Sequence, residues 1–446
     1  MLTPHQTREL YFKAYFDNKD EVDARIADGI ENNRKGCCRV RLTDAAGKPL
    51  SGKRIRLTQK THDFKFGANL FMLDEFDNEA YNAEYRRFFK EYFNLATVPF
   101  YWDTLEPTEG KPRYAKDSEK VYRRPAPDLC MEYCEQNGVT PKLHCLYYDK
   151  MTPSWLTDRS EEEIEAKYRE RFAEIASRYS GRMMEFEVIN ELLCFHDQKT
   201  PNFVKRDILT WAFNEARQYF PNDVLVVNEA NPIQSLAYQK YRQPYYLLIE
   251  NALLKGAKID KIGLQNHLFT GVSAHTPEEY EKSVRSGVHM NNPITYFKGL
   301  DIIATLGLPL EITEVTVPTF GDTLEDEELQ ADVLKLWYST WFSHPAVDAI
   351  VYWNTVDGHA YQGNPNWLEN NCRGGLWHKD LTPKKSALML KKLVQETWHT
   401  DLEFTTDKNG SVEFRGFFGE YSVKADGKEF EIAIHKNESS SFEITL

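Results

Sequence analysis

Long apolar runs are missing from this chain. No stretch of about 18 apolar residues occurs anywhere in it, so no segment is built to span a membrane as a helix. The opening residues, MLTPHQTRELYFKAYFDNKD, contain no apolar core of signal-peptide length. The expectation is a cytoplasmic protein; a trimmed secreted chain would read the same way. Clustered positive charge is missing too. Lysine and arginine number 55 against 68 aspartate and glutamate, a net charge of -13. Phosphate binding needs a basic patch, so nucleic acid is not expected as a partner. Cysteine is sparse: seven are scattered, Cys37 and Cys38 adjacent, with no C-x-x-C pair. An odd count without a framework points to free thiols in a reducing compartment. Repeats, low-complexity segments and long linkers are absent as well.

What is present is a globular composition, 41% hydrophobic over 446 residues. That length holds one large domain and something smaller. Residues 1–35 read as a helical, polar N-terminal segment, and 36–62 as two strands around a Gly-containing turn. From 63 to 399 short apolar strands alternate with amphipathic helices. The candidate strands lie at 64–71, 95–102, 141–148, 184–191, 224–231, 259–268, 309–317 and 349–358. Eight such alternations predict an α/β fold, a (β/α)8 TIM barrel. Residues 400–446 return to short strands and Gly-rich turns. They are too few for a robust core alone, so they are expected to pair with 36–62 as one accessory β-domain. The aromatics Phe414, Phe417, Phe418 and Tyr421 read as its core rather than as a sugar platform.

The strands carry polar groups at their C-terminal ends: His144, Asn190-Glu191, Asn228-Glu229, Gln265, His267, Glu314, and Trp353 with Asn354. In a barrel these ends converge on one face, where active sites lie. One glutamate there is a cap or a rim ion pair as readily as a working group. Two glutamates, on the fourth and seventh strands with His, Gln and Asn between them, point to chemistry. Two facing carboxyl groups are the minimum equipment for glycoside hydrolysis, one giving a proton and the other attacking or activating water. Mutual repulsion separates the titrations of such a pair.

These segments together resemble glycoside hydrolase family 10, the retaining endo-β-1,4-xylanase-like enzymes with catalytic glutamates on strands four and seven. FEVINE is similar to the family's W-D-V-V-N-E, LEITEV to its I-T-E-L-D, and IDKIGLQNHL to its G-x-Q-x-H-L. TPSWL, VYWNTVDG and GLWHKDLTPKKSAL match in the same order, over roughly residues 60 to 398. The resemblance implies Glu191 as acid/base and Glu314 as nucleophile. It implies Asn190 on the sugar 2-hydroxyl, His267 holding the nucleophile, and His144, Gln265 and Trp353 lining the -1 subsite. Tyr148, Asn228, Tyr101 and Tyr361 are expected to complete the substrate site, with no metal and no cofactor.

The departures concern selection rather than cleavage. The family's E-N-x-x-K-W on strand two, which grips xylose in the -2 subsite, is here TVPFYW, with Thr97, Val98 and Tyr101 in place of Glu, Asn and Lys. The W-H after strand three is Tyr148-Asp149, and a second Trp after strand eight is Tyr361. The expected activity is therefore a retaining β-glycosidase on β-linked plant oligo- or polysaccharide, xylan-derived by resemblance. Two other readings stay open. One is a carbohydrate-binding barrel without turnover. The other is a metal-dependent barrel enzyme with His144, Glu191, Glu229, His267 and Glu314 as ligands, although no H-x-H or H-E-x-x-H spacing is present.

Overall fold

The computed structural model describes residues 2–446 except 195–198, 201–202, 204 and 439. Eight parallel strands close into a barrel: β1 (Lys65–Asn69), β2 (Leu95–Pro99), β3 (Thr140–Tyr147), β4 (Glu185–Asn190), β5 (Val224–Glu229), β6 (Lys261–His267), β7 (Leu310–Thr316) and β8 (Val347–Tyr352). Strand order follows chain order, and β8 pairs with β1 in parallel to seal the ring. Every residue of β2, β4, β6 and β7 is buried, as expected of strands covered on both faces. The fold is thus a (β/α)8 barrel.

Helices return the chain between strands, and their starts are written in the sequence. Ser160, Thr276 and Thr323 each cap a helix, with Glu163, Glu279 and Asp326 reaching back to complete a capping box. Before the barrel come two helices, Pro4–Phe16 and Lys19–Arg34. The second lies against the long barrel helix Leu324–Ser343. Gly29 permits the close approach: a Cβ there would stand 2.5 Å from the carbonyl oxygen of Ser343.

Both chain ends build a separate β-unit. Lys35–Thr43 lies between Ser411–Phe417, antiparallel, and Ser441–Thr445, parallel. Arg54–Gln59 lies between Asp401–Thr405 and Gly419–Ala425, with Lys428–Ile434 outside. Val40, Leu42, Ile55, Leu57, Tyr421, Val423 and Ile434 form the core between the two sheets. Phe414 and Tyr421 are buried there, Phe418 packs against them half-buried, and Phe417 inserts into the barrel's own core.

Arg34 joins this unit to the barrel. Its buried guanidinium donates to the carbonyls of Phe342, His344 and Val347 and lies over the rings of Phe64 and Phe342. Replacing Arg34 by Met takes a donor from three carbonyls at and before the start of β8, of which that of His344 keeps the Val347 amide at 3.2 Å. Urea denaturation should show a loss of about 3 kcal/mol. A loss below about 1 kcal/mol would mean that water replaces the guanidinium.

Candidate active site

The C-terminal strand ends place most of the candidate residues in one hydrogen-bonded group. Gln265, near the end of β6, is its bridge. Its Nε2 lies 3.1 Å from Glu191 Oε1, 2.9 Å from Glu314 Oε1 and 3.2 Å from Asn190 Oδ1. One nitrogen within reach of both carboxylates keeps those two oxygens no more than about 6 Å apart, inside the range of paired carboxyls that share one reacting carbon.

Asn228, from β5, is the second hub. Its Nδ2 lies 3.0 Å from Asn190 Oδ1 and 3.1 Å from both Glu187 Oε1 and Glu314 Oε1. Its own Oδ1 accepts from the Thr313 hydroxyl. Space for this amide depends on Gly263: a Cβ there would stand 2.8 Å from Asn228 Oδ1 and 2.7 Å from Thr313 Cγ2.

Glu314 on β7 also meets His267, whose Nε2 is 3.2 Å from Oε2 while Nδ1 is 2.9 Å from the Thr316 hydroxyl. Burial holds the His267 pKa down to about 4. The ring is therefore neutral, accepts from Thr316 and donates to Glu314. Burial likewise pushes the Glu314 carboxyl well above its usual range, with Glu191 and Glu187 adding to the rise. His144 and the Asn228 amide oppose it.

Glu191 follows β4 in a left-handed conformation, φ 52°. Such backbone is costly for a non-glycine residue and is found where function holds a side chain in place. The Tyr148 hydroxyl donates to its Oε2, so Gln265 and Tyr148 grip the carboxyl from both sides. Below, His144 on β3 joins Glu187 Oε1 through Nδ1 and the Tyr101 hydroxyl through Nε2, each at 2.9 Å. Burial works against an imidazolium at His144, but the Glu187 carboxylate outweighs it and raises the pKa. Phe71, Tyr101, Cys145, Tyr148 and Trp353 make an apolar cluster along one side.

Two candidates lie away from this group. Tyr361 is half-buried in the loop after β8, where Lys150 Nζ sits 5.6 Å from its ring centroid. Glu229 braces the chain after β4, accepting from the Leu193 and Ala230 amides at 2.8 Å each. Glu229 is therefore turned to the backbone rather than to a common metal with His144, Glu191, His267 and Glu314. The described residues group His144, Cys145 and Glu187 instead, with ligand atoms within 4.8 Å of one another. The His144–Glu187 hydrogen bond already joins two of the three.

The positions that depart from the family pattern have other duties. Val98 packs in the main core, Thr97 is buried, and the Tyr101 hydroxyl is committed to His144. Asp149 receives the Lys199 and Thr200 amides and the Thr200 hydroxyl, pinning the loop after β4. Sequence reasoning missed Glu187, inside a strand that reads as apolar, and the pair Arg123-Arg124, within YRRP in a loop. It also missed Glu369, whose carboxylate accepts from Asn354 and Trp367.

A closed parallel barrel with two glutamates facing across its C-terminal end defines a class of barrel proteins with paired-carboxylate sites. The model of glycosyl hydrolase family 10 matches residues 60–392, and the chain belongs to that family. Among curated relatives, the anti-sigma-I factor RsgI6 of Acetivibrio thermocellus is 25% identical over 88% of this chain and 45% of its own length. Endo-1,4-beta-xylanase 1 of Arabidopsis thaliana is 24% identical over 89% of this chain and 38% of its own. The chain therefore spans less than half the length of these relatives. Of solved structures, native xylanase 10B from Thermotoga maritima superimposes with a TM-score of 0.59 at 20% identity, covering 75% of this chain and 96% of that one.

Removing the Asn228 amide leaves buried acceptors on Glu187, Asn190 and Glu314 short of a donor. Asn228→Ala should lower unfolding stability by about 1–3 kcal/mol, read by denaturant titration. Asn228→Asp, which adds a carboxylate among carboxylates, should cost more at neutral pH than in acid.

Proposed function

We propose that this chain is a retaining β-glycosidase acting on a β-linked, xylan-derived saccharide by double displacement. The observation that carries the reading is the Gln265 amide within hydrogen-bond reach of both Glu191 and Glu314. An inverting enzyme needs its carboxyls about 6.5–9.5 Å apart to admit a water, and the two Oε1 atoms held by Gln265 lie within about 6 Å of each other. Membership of the family supports the same chemistry. The xylan-derived substrate is supported by relatives named endo-1,4-beta-xylanase and by the xylobiose complex of the Thermotoga petrophila xylanase 10B.

In this reading Glu314, oriented by His267, Gln265 and Asn228, attacks the anomeric carbon. The glycosidic C–O bond breaks, and Glu191 gives its proton to the departing oxygen. Glu191, then a carboxylate, takes a proton from water as that water displaces Glu314 from the sugar. Asn190 suits the 2-hydroxyl: its Oδ1 is held by Asn228 and Gln265, and its Nδ2 has no partner among the described residues. Trp353, 5.1 Å from Phe71 between ring centroids, suits the face of the same sugar.

The two glutamates separate by chemical rescue. Glu191→Ala should spare the first step for aryl glycosides with very good leaving groups, let the glycosyl-enzyme accumulate, and yield a β-glycosyl azide when azide is added. Glu314→Ala should lose activity on every substrate by about 10⁴-fold or more, with azide giving the α-azide by direct displacement. The reverse pattern would exchange the roles, and unaltered turnover in both variants would put the chemistry elsewhere.

Substrate size follows from the altered strand-two positions. Val98 and Tyr101 offer no free hydrogen-bonding group of the kind the family uses to grip xylose. Long unsubstituted xylan should be a poorer substrate than short or decorated oligosaccharides. Polymeric xylan emerging as the best substrate in a side-by-side panel would refute this.

A further inference from the structure

The loop between β2 and β3 carries two consecutive arginines whose donors are largely unused. The other three buried arginines show what a structural guanidinium does in this protein. Arg34 serves the carbonyls of Phe342, His344 and Val347; Arg113 those of Glu119, Thr104 and Arg124; Arg171 those of Leu146, Phe100 and Cys145. In each case Nε is one of the donors.

Arg123 and Arg124 are different. Arg123 is 4% exposed, yet its side chain makes one hydrogen bond, from Nη2 to Asn354 Oδ1 at 2.6 Å. Arg124 also makes one, from Nη1 to the carbonyl oxygen of Arg123 at 2.8 Å. Both Nε atoms are buried without a partner, and neither guanidinium forms an ion pair, among the described residues. Glu369 is turned to Asn354 and Trp367, and Glu75 to the Arg123 backbone N–H. Arg123 also holds a left-handed φ of 61°. Burial lowers both guanidinium pKa values, and the adjacent Arg124 helps bring Arg123 to about 10. Arg123 is buried and Arg124 half-buried beside it; Glu369 and Asp103 act on them through space, but no carboxylate of the described residues forms an ion pair with either guanidinium.

Their position is specific. Arg124 lies over Tyr101, 4.2 Å from its ring centroid, and 5.2 Å from that of Phe71. Tyr101 bonds His144, and Phe71 packs on Trp353, so the pair stands over the ends of β8, β1 and β2, one aromatic layer from His144 and Trp353. Loops meet over that end. The Tyr122 hydroxyl is 2.7 Å from His359 Nδ1, and Lys150 reaches Tyr361 from the far side of β2.

We propose that Arg123 and Arg124 form a subsite for a carboxylate carried by the saccharide, a uronic acid residue or branch seated at the β1–β2 end of the cleft. A planar guanidinium meets a carboxylate through two parallel hydrogen bonds, so an acid on the half-buried Arg124 would bring hydrogen-bond partners and an opposite charge together. Sugar hydroxyls supply partners but no charge. The proposal rests on the saccharide-binding part of the reading above, and it makes Arg123 and Arg124 specificity residues of the site.

The test uses one oligosaccharide in two forms: xylotetraose with a glucuronic acid branch, and the same compound with the carboxyl reduced to the alcohol. Calorimetric titration of the full chain carrying Glu191→Gln compares their affinities without turnover. The acid should bind about tenfold more tightly, and the ratio should shrink in high salt. Adding Arg124→Gln should collapse the ratio to about unity, and Arg124→Lys should restore part of it by charge without the fork. Equal affinities, or a ratio untouched by Arg124→Gln, would overturn the proposal. So would tighter binding of a sulfate ester on the same oligosaccharide, which would assign the pair to a different anion. Hydrolysis by the unmodified chain is scored separately. Cleavage of both forms with equal affinities removes the subsite alone. A tenfold ratio without any cleavage supports the subsite and removes the glycosidase reading.

Discussion

Two carboxylates within reach of a single amide nitrogen are the constraint around which this molecule is arranged. Glu191 and Glu314 sit at the ends of β4 and β7, and Gln265 from β6 lies between them. A pair of acids this close, with Glu314 buried, is held only where donors converge. Asn228, His267 and Tyr148 supply them, each from a different strand end. The demand extends to residues with no polar group: Gly263 leaves the space that Asn228 occupies.

The barrel interior continues the same arrangement downward. Glu187 is bonded to Asn228 above and to His144 beside it, and Lys142 Nζ stands 3.7 Å from it and 2.8 Å from Glu311. Lower still, Lys261 pairs with Glu185 and, at 3.1 Å, with Asp348. Burial raises the Glu187 carboxyl, but His144, Lys142 and Asn228 outweigh it and keep it ionised. Buried ion pairs of this kind add little to stability over apolar packing, because desolvation offsets the attraction. Here they place alternating charge beneath Glu191 and Glu314, where apolar layers would leave Glu314 to burial alone.

Selection is handled at the opposite edge by different means. Tyr101 occupies the place of a lysine in the family pattern, and its hydroxyl is taken by His144. Positive charge nevertheless returns to the same end of the cleft, carried by Arg123 and Arg124 from the following loop. Glu191, Glu314 and their donors lie at strand ends; the departures from the family pattern fall on β2 at Thr97 and Val98 and, at Tyr101, on the loop that follows, which also carries Arg123 and Arg124. Strands hold a side chain stiffly, whereas loops change sequence with little cost to the fold.

Eight strand-helix alternations, the capping residues and the polar strand ends are local patterns, so barrel and strand-end residues were legible from the sequence. Glu191 and Glu314 were readable because the first follows an apolar strand and the second lies near the end of one, and strand ends in a closed parallel barrel must converge. The hubs were less so: Asn228 reads as one more strand-end amide, and nothing local says that it faces Glu187, Asn190 and Glu314 together. Glu229, its neighbour, has the same local signature and faces the backbone instead, because successive strand residues point to opposite sides. Arg123 and Arg124 could be seen as two adjacent bases but not as a buried base beside a half-buried one, since burial depends on loops after β2 and β8 meeting over the barrel. The sequence by itself determined which residues lie on which strand and at which end. Only the closed tertiary structure decided which donors meet which acids, because those distances are set between strands far apart in the chain.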